Sequence, residues 1–272
     1  MIDKNFESIH EQAKKWVYEA GGAIRDSLDK PMLIETKSNA NDLVTEIDKS
    51  TEEFFVNKIR DSYPSHKIIG EEGFGDQEAT LSGTVWFIDP IDGTINFVHQ
   101  KRNFAISVGV YHDGVGMIGL IYDVMSDVLY EARKGAGAFK NGSPLGRFSG
   151  KRKLKESILG INGFWATENR RVEHESIQKL IKDVRGTRSY GSAALEFAYL
   201  AEGIMDGYVT MKLAPWDIAA GIVIVEEVGG ITSRADGSAI SLEGNNSIVS
   251  SHPSIHKEIT EQYIQLKDNP SV

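Results

Sequence analysis

The first 60 residues of the chain place apolar side chains at the spacing of two amphipathic helices. The first series contains Ile2, Phe6, Ile9, Ala13, Trp16, Val17, Ala20 and Ile24, and the second contains Ile47, Phe54, Phe55 and Ile59. Each helix therefore has one apolar face, which predicts that both pack against a sheet.

From residue 84 the pattern changes to short runs that are typical of strands. An Asp-Gly pair at residues 113 and 114 separates two of these runs, which predicts a hairpin with a tight turn. The following runs extend the hairpin into an antiparallel meander. The predicted strands are Val85–Ile88, Phe104–Tyr111, Val115–Tyr122, Val128–Ala132 and Ala136–Phe139.

After a basic stretch at residues 151–155, strand and helix patterns alternate. The predicted strands are Ile158–Ile161, Tyr208–Met211, Ile231–Thr232 and Ile248–Val249. The predicted helices are Glu173–Lys182, Ser192–Ala201, Ile218–Val228 ended by Gly229-Gly230, and a C-terminal helix through Ile259, Tyr263 and Ile264. A meander followed by this alternation predicts a layered α/β or α+β protein. We expect a single unit over residues 1–272, with an N-terminal α+β half (about 1–150) and a C-terminal α/β half (about 151–272).

Composition narrows the classes of function. The chain has 272 residues and no cysteine, which excludes disulfides, thiolate zinc sites and cysteine nucleophiles. Its net charge of −9 disfavours binding to nucleic acid and to anionic membranes. The N-terminus lacks a secretory signal, so we expect a cytoplasmic protein. Among the histidines, the nearest pair, His252 and His256, is interrupted by Pro253, and we expect surface or N-terminal helix positions rather than a metal site.

Carboxylates follow apolar residues abruptly at three places. Glu71-Glu72 follows Ile68-Ile69-Gly70, Asp89 and Asp92 follow Trp86-Phe87-Ile88, and Asp217 follows Pro215-Trp216. Each has a simpler interpretation alone: a solvated turn for Glu71-Glu72, a strand-to-helix turn for residues 89–93, and a helix-capping acid for Asp217. Together they indicate a cluster of oxygen ligands, which hard cations such as Mg²⁺ select.

The segment Asp92-Gly93-Thr94 adds a second feature. Gly93 lets backbone N–H groups approach a ligand closely, Thr94 supplies a hydroxyl, and free amides at a helix start bind phosphate. Cations beside such amides predict phosphoryl-transfer chemistry. A P-loop motif is absent from the sequence, which argues against nucleotide-triphosphate chemistry of that kind.

These segments resemble the signatures of the inositol monophosphatase family. Residues 86–97 (WFIDPIDGTINF) resemble the first signature, residues 216–221 (WDIAAG) followed by Gly229-Gly230 resemble the second, and Gly70-Glu71-Glu72 precedes both in the expected order. The resemblance covers nearly the whole chain. It implies a sugar-phosphatase fold of αβαβα layers, a magnesium-dependent and lithium-sensitive phosphomonoesterase, and a homodimer.

The resemblance also implies roles for individual residues. Glu71, Asp89, the Ile91 carbonyl, Asp92 and Asp217 would hold two to three Mg²⁺ ions. Glu71 and Thr94 would orient the attacking water, with Asp48 bound to the Thr94 hydroxyl, while the amides of Gly93 and Thr94 would hold phosphate and Lys37 would lie near the site. Two of these residues have simpler alternatives: Thr45 and Asp48 have the spacing of a helix capping box, and Lys37 fits a solvated loop.

The resemblance is weakest where substrate is selected. Gly191 and Ala193 match the family segment whose backbone faces the substrate ring. Asp92 and Asp217 are further substrate-binding residues that the resemblance implies. Seven residues before Asp217, where inositol-specific members carry a glutamate, this chain has Thr210. We therefore expect hydrolysis of inositol monophosphate with relaxed specificity. The alternatives are an NADP(H) 2′-phosphatase, a fructose-1,6-bisphosphatase, and a non-catalytic regulatory or RNA-associated protein with the same fold.

Overall fold

A computed structural model describes residues 2–30, 33–36, 43–76 and 80–267, with side chains from residue 6 onward. The α-helices in these ranges are α1 (Ile2–Ser27), α2 (Glu46–Ser62), α3 (Thr94–Gln100), α4 (His174–Asp183), α5 (Ala193–Glu202), α6 (Pro215–Glu227) and α7 (Pro253–Gln262). The longer helices agree with the periodicities above. In the described part of the chain, no helix is long and apolar enough to cross a membrane.

Two sheets lie in the N-terminal half. The small one pairs β1 (Ile34–Thr36) with β2 (Leu43–Thr45). The large one has seven strands in sequence order: β3 (Lys67–Gly70), β4 (Thr84–Asp92), β5 (Ala105–His112), β6 (Val115–Asp123), β7 (Val128–Arg133), β8 (Gly137–Lys140) and β9 (Ser143–Pro144). The predicted hairpin and meander are confirmed, since β4 to β9 are all antiparallel to their neighbours. In contrast, β3 joins β4 in parallel.

The C-terminal half forms a second, five-stranded sheet. Its strands are β10 (Ile158–Ile161), β11 (Gly186–Arg188), β12 (Gly207–Leu213), β13 (Ile231–Arg234) and β14 (Asn246–Ser251). Their spatial order is β11-β10-β12-β14-β13, and β11, β10 and β12 are parallel to one another. Their carboxyl ends therefore open at the same edge of the sheet.

The layers follow from the alternation of side chains along the central strands. In β4, Trp86 and Ile88 pack against α1 and α2, whereas Val85 and Phe87 face α5 and α6 on the other side. The far face of α5 and α6 packs on the second sheet, whose outer face is covered by α4 and α7. The order of layers is thus αβαβα, as the resemblance implied.

Helix α6 lies between the two sheets and is apolar on nearly every side, as a doubly covered helix requires. It approaches the large sheet closely at Gly119 in β6. A Cβ atom at Gly119 would lie 2.4 Å from the carbonyl oxygen of Ala220. Glycine at this position therefore sets how near α6 can pack to the sheet.

Two predictions in the C-terminal region need correction. Helix α7 ends at Gln262, before Tyr263 and Ile264, because residues 265–267 pair with residues 171–173 through main-chain hydrogen bonds. The histidine pair does lie at the start of this helix, but neither residue is on the surface. His252 caps α7, and both His252 and His256 are buried and hydrogen-bonded to serines.

Candidate active site

The carboxyl ends of parallel strands deliver the predicted acids to one place. Glu71 follows β3, and its N–H donates to the Ile88 carbonyl at 3.2 Å, which sets Glu71 beside Asp89 in the neighbouring strand. Glu71 also hydrogen-bonds the Asp89 side chain. The interpretation of Glu71 as a merely solvated turn residue is therefore wrong, since it is half-buried against Asp89.

An irregularity in β4 brings Asp92 to the same face of the strand as Asp89. Asp89 pairs with Ser107 and Asp92 pairs with Ala105, so three steps along β4 match two steps along β5. This is a β-bulge, and it falls at Pro90, which has no N–H to give to the sheet. In a regular strand, residues three positions apart face opposite sides, so without the bulge Asp92 would face the opposite side from Asp89, toward α1 and α2.

Asp217 comes from the first turn of α6. One of its carboxylate oxygens accepts the N–H of Ala214 at 2.7 Å, so the capping role expected of an isolated acid is real. Asp217 also joins the two aspartates of β4. Asp89, Asp92 and Asp217 each offer a carboxylate oxygen, and these oxygens all lie within 4.8 Å of one another.

Burial and mutual repulsion make the negative charges of this carboxylate cluster unfavourable, and a bound cation would relieve this. Burial, followed by the charges of Glu71, Asp92 and Asp217, raises the pKa of Asp89 well above its ordinary value. Burial also raises the pKa of Asp92, although this carboxylate accepts hydrogen bonds from the Ser192 hydroxyl and from the Ala194 N–H at 2.7 Å. Crowded, buried carboxylates of this kind are the ligands that Mg²⁺ prefers.

Thr94 connects the cluster to Asp48. The Thr94 hydroxyl lies 3.2 Å from Asp48 Oδ1 and 3.1 Å from the Ile91 carbonyl oxygen, and it can donate to either. Asp48 is fully buried, and burial raises its pKa. Asp48 and Thr45 also form the predicted capping box at the start of α2. Asp48 thus takes part in the capping box and also contacts Thr94, because its two oxygens serve different partners.

The turn before α3 requires glycine. Gly93 has φ of +93°, a left-handed conformation that side chains disfavour. A Cβ atom there would also lie 3.1 Å from the Gly191 carbonyl oxygen. Gly93 is therefore one of the places where the two halves of the chain come into close contact.

A pocket of about 330 Å³ opens beside Asp92 at the carboxyl edge of the second sheet. It is lined by Gly191, which follows β11, by Asn162, which follows β10, by Thr210 within β12, and by Ala193 at the start of α5. Of the four substrate residues predicted in this half, Gly191, Ala193 and Thr210 line this pocket, and the fourth, Asp217, belongs to the carboxylate cluster. Lys37 lies outside the described residues.

Two residues that the sequence did not single out hold the loop of this pocket. Glu196 accepts the N–H of Tyr190 at 2.8 Å, and Asn96 donates to the carbonyl oxygen of the same residue at 2.7 Å. Glu196 is buried, which raises its pKa to about 7. The signal was present in the sequence: Glu196 is a charged residue within an otherwise apolar stretch of α5.

Comparisons with known proteins agree with this geometry. The family model described as "Inositol monophosphatase family" matches residues 5–268. The chain is 52% identical over 263 residues to the inositol-1-monophosphatase of Bacillus subtilis (strain 168), covering 97% of this chain and 99% of that protein. It is 39% identical over 241 residues to Nus factor SuhB of Escherichia coli (strain K12), covering 88% and 89%. The crystal structure of inositol monophosphatase-II from Staphylococcus aureus MSSA476 superposes with a TM-score of 0.86 at 42% identity, covering 94% and 93%.

Proposed function

The chain belongs to the inositol monophosphatase family, whose members are phosphomonoesterases, and we propose that it hydrolyses inositol monophosphate and other small phosphate esters in a Mg²⁺-dependent reaction. The observation that carries this proposal is the convergence of Asp89, Asp92 and Asp217 from two separate parts of the fold. Three carboxylates in contact distance are costly unless a cation joins them.

The residues present fit magnesium. Asp89, Asp92 and Asp217 offer oxygen ligands, and Glu71 and the Ile91 carbonyl lie next to them. We propose that these groups hold two to three Mg²⁺ ions and that Li⁺ inhibits. Mg²⁺ bound there supplies Lewis-acid stabilisation of phosphoryl oxygens and acidifies water. Related solved structures are named as complexes with Mg²⁺ and phosphate and as a LiCl-soaked inhibitory complex, which supports both parts of the proposal.

Thr94 and Asp48 would handle the proton of the attacking water. When the Thr94 hydroxyl donates to Asp48, its oxygen lone pairs are free to accept a hydrogen bond from water and so to orient it, with Glu71 on the other side. Asp48 is held by Thr45 and cannot swing away, which keeps the hydroxyl in one direction. The amides of Gly93 and Thr94 would hold the phosphate, and Lys37 would contribute a positive charge near it.

Substrate selection falls to the pocket beside Asp92. Gly191, Ala193 and Thr210 line it, and we propose that they face the alcohol part of the ester. Thr210 gives a hydroxyl where a carboxylate would bind a polyol more strongly, which favours relaxed specificity. Nucleotide esters are therefore a second candidate class. This is supported by related structures named as bound to 2′AMP and as an IMPase/NADP phosphatase with NADP and Ca²⁺.

A phosphate-release assay tests the proposal. Inositol 1-phosphate, fructose 1,6-bisphosphate, NADP and adenosine 2′-phosphate are compared by kcat/KM with and without Mg²⁺. We expect turnover of inositol 1-phosphate that requires Mg²⁺. Absence of phosphate release from every ester at saturating Mg²⁺ would refute the enzymatic function and favour the non-catalytic alternative, which the relationship to a Nus factor keeps in view.

We further propose that the chain folds as one unit and associates as a homodimer. Contacts between the halves at Gly93 with Gly191, and at Asp92 with Ala194, support a single unit. Light scattering coupled to size-exclusion chromatography measures the mass of the assembly, and a mass of one 30.0 kDa chain would contradict the dimer.

A further inference from the structure

The pocket beside Asp92 has an aromatic rim. The segment that follows β10 forms a short 3₁₀ turn, Gly163–Ala166, and places Phe164 and Trp165 in the pocket lining. Trp165 is half-buried against the outer core of the second sheet, whereas Phe164 is 57% exposed. The two rings meet edge to face with centroids 5.1 Å apart. The exposed ring of Phe164 is therefore supported by contact with the half-buried ring of Trp165.

The rim is fixed to the scaffold on both sides. The side chain of Asn162 accepts the N–H of Phe164 at 2.9 Å, and Gln178 of α4 donates to the Ala166 carbonyl oxygen at 2.9 Å. The Phe164 ring is thus presented by an anchored turn. Presenting a rigid aromatic face costs little conformational entropy when a planar group stacks on it.

A lysine stands at the same edge. Tyr208, Thr210 and Lys212 of β12 all line the pocket. Tyr208 and Thr210 are buried, while Lys212 is exposed at the open end. Within the described part of the chain, Lys212 forms no ion pair with a carboxylate. Because β10 and β12 are parallel neighbours, Phe164, which follows the carboxyl end of β10, and Lys212, the penultimate residue of β12, lie at the same edge of the sheet and line the same pocket.

We propose that Phe164 and Lys212 are specificity-determining residues that recognise the nucleoside part of a ribose phosphate ester. The inference rests on the proposed phosphatase function of the same site. With the ester phosphate at the aspartate cluster, the base stacks on Phe164 and a second phosphate of the nucleoside pairs with Lys212. Water adds to phosphorus, the bond from phosphorus to the ribose oxygen breaks, and the products are inorganic phosphate and the free ribose hydroxyl.

Three features carry the assignment. The pocket volume of about 330 Å³ falls in the range of small-molecule sites, ~300–1,000 Å³. An exposed aromatic face accepts any base, because every base has a π-face. An unpaired lysine in a protein of net charge −9 is a local cation suited to a second anionic group. Inositol monophosphate has neither a planar ring nor a second phosphate, so it uses neither residue.

The experiment compares three probes on the full chain in Mg²⁺: inositol 1-phosphate, adenosine 2′-phosphate and adenosine 2′,5′-bisphosphate. We expect Phe164→Ala to lower kcat/KM for both adenosine esters by about tenfold and to change that for inositol 1-phosphate less than about twofold. Phe164→Tyr keeps the aromatic face and should keep wild-type ratios. Lys212→Ala should remove the advantage of the bisphosphate over the monophosphate, and Lys212→Arg should retain it.

The outcomes separate this inference from the function on which it rests. If the wild type releases phosphate from inositol 1-phosphate but not from the adenosine esters, the inference is overturned and the phosphatase function stands. The inference is also overturned if Phe164→Ala lowers kcat/KM for all three esters equally, or for none. If no ester is hydrolysed, both fail together.

Discussion

Asp89 and Asp92 point to the same face of β4 although they are three residues apart, because the bulge at Pro90 adds one residue between them. In a regular strand, residues three positions apart would face opposite layers. In the proposed chemistry the two carboxylates share a cation with Asp217, so that chemistry requires the bulge.

Asp89→Asn tests this cluster directly. We expect kcat/KM for inositol 1-phosphate to fall on the order of 10³-fold or more, because a ligand charge worth several kcal/mol is lost. The asparagine Oδ1 can still accept the Ile91 N–H, as Asp89 does at 3.1 Å, so the protein should fold. The exposed Asp61→Asn in α2 is the matched control and should keep wild-type activity. Near-wild-type turnover by Asp89→Asn would contradict the metal role.

The stability of the metal-free protein should fall as pH rises. The folded-state pKa values of Asp48, Asp89, Asp92 and Glu196 are raised by burial. The folded state therefore binds more protons than the unfolded chain. The stabilisation that these bound protons provide is complete below the ordinary carboxyl pKa. It is lost as pH rises through the folded-state pKa values, which reach about 7 for Glu196.

Calorimetry in a chelator should accordingly show a lower Tm at pH 8 than at pH 5.5. Mg²⁺ should raise Tm more at pH 8, because the ligands bind as carboxylates. A Mg²⁺ effect equal at both pH values would contradict this coupling. Asp89→Asn should raise the metal-free Tm at pH 8, since it removes one buried charge from the cluster.

Thr94 and Asp48 should act as a pair in catalysis. Thr94→Ala should lower kcat by about 10²–10⁴-fold, whereas Thr94→Ser, which keeps the hydroxyl, should retain most of it. Asp48→Asn combined with Thr94→Ala should cost little more than Thr94→Ala alone. Thr45→Ala is the control: it removes the capping side chain but keeps the main-chain N–H that holds Asp48, so it should lower stability by about 0.5–2 kcal/mol and leave kcat largely unchanged. Additive losses of kcat in the double variant would contradict the pairing, because Asp48 would then act independently of Thr94.

Glu196 should position the substrate loop. Glu196→Ala leaves the N–H of Tyr190 unpaired, and an unsatisfied buried donor costs about 1–3 kcal/mol. We therefore expect KM for inositol 1-phosphate to rise about tenfold, while kcat stays within about threefold of the wild-type value. Glu196→Gln retains an acceptor and should restore KM. Glu202→Ala, in the same helix and bonded to Tyr130, is the control for stability alone. Equal changes in KM for both alanine variants would argue against positioning.

Gly119→Ala tests the spacing of the layers. The added methyl would lie 2.4 Å from the Ala220 carbonyl oxygen, so α6 must shift, and we expect a loss of about 1–3 kcal/mol in the free energy of unfolding. Because α6 carries Asp217, Mg²⁺ affinity should fall as well. Gly146→Ala, which has no atom within 4 Å of the new Cβ, should be neutral. Urea denaturation measures both variants.

Much of the fold was predictable because local patterns repeat over long segments. The apolar face of α1 and the Asp113-Gly114 hairpin each depend on neighbouring residues, and both are confirmed. The parallel strand β3 was not predicted, because its pairing with β4 is set by contacts across the sheet. The end of α7 was misplaced for the same reason: the partner of residues 265–267 lies almost 100 residues earlier.

The candidate site was predictable as a set of residues but not as a geometry. Carboxylates after apolar runs indicated Glu71, Asp89, Asp92 and Asp217. The spacing of Asp89 and Asp92 alone would place them on opposite faces of a regular strand, and only the pairing with β5 reveals the bulge. The hydrogen bonds of Asn96 and Glu196 with the main chain of Tyr190 join separate segments of the chain, and no local sequence pattern could indicate them.

The hydrogen bonds of Asp92 also bear on how the protein is made. Its partners, Ser192 and Ala194, lie a hundred residues later in the chain, and Asp217 later still. During synthesis the ribosome releases Asp89 and Asp92 long before these groups exist. The nascent N-terminal half therefore carries only part of the proposed ligand set, and the proposed Mg²⁺ site can form only after α6 has been synthesised.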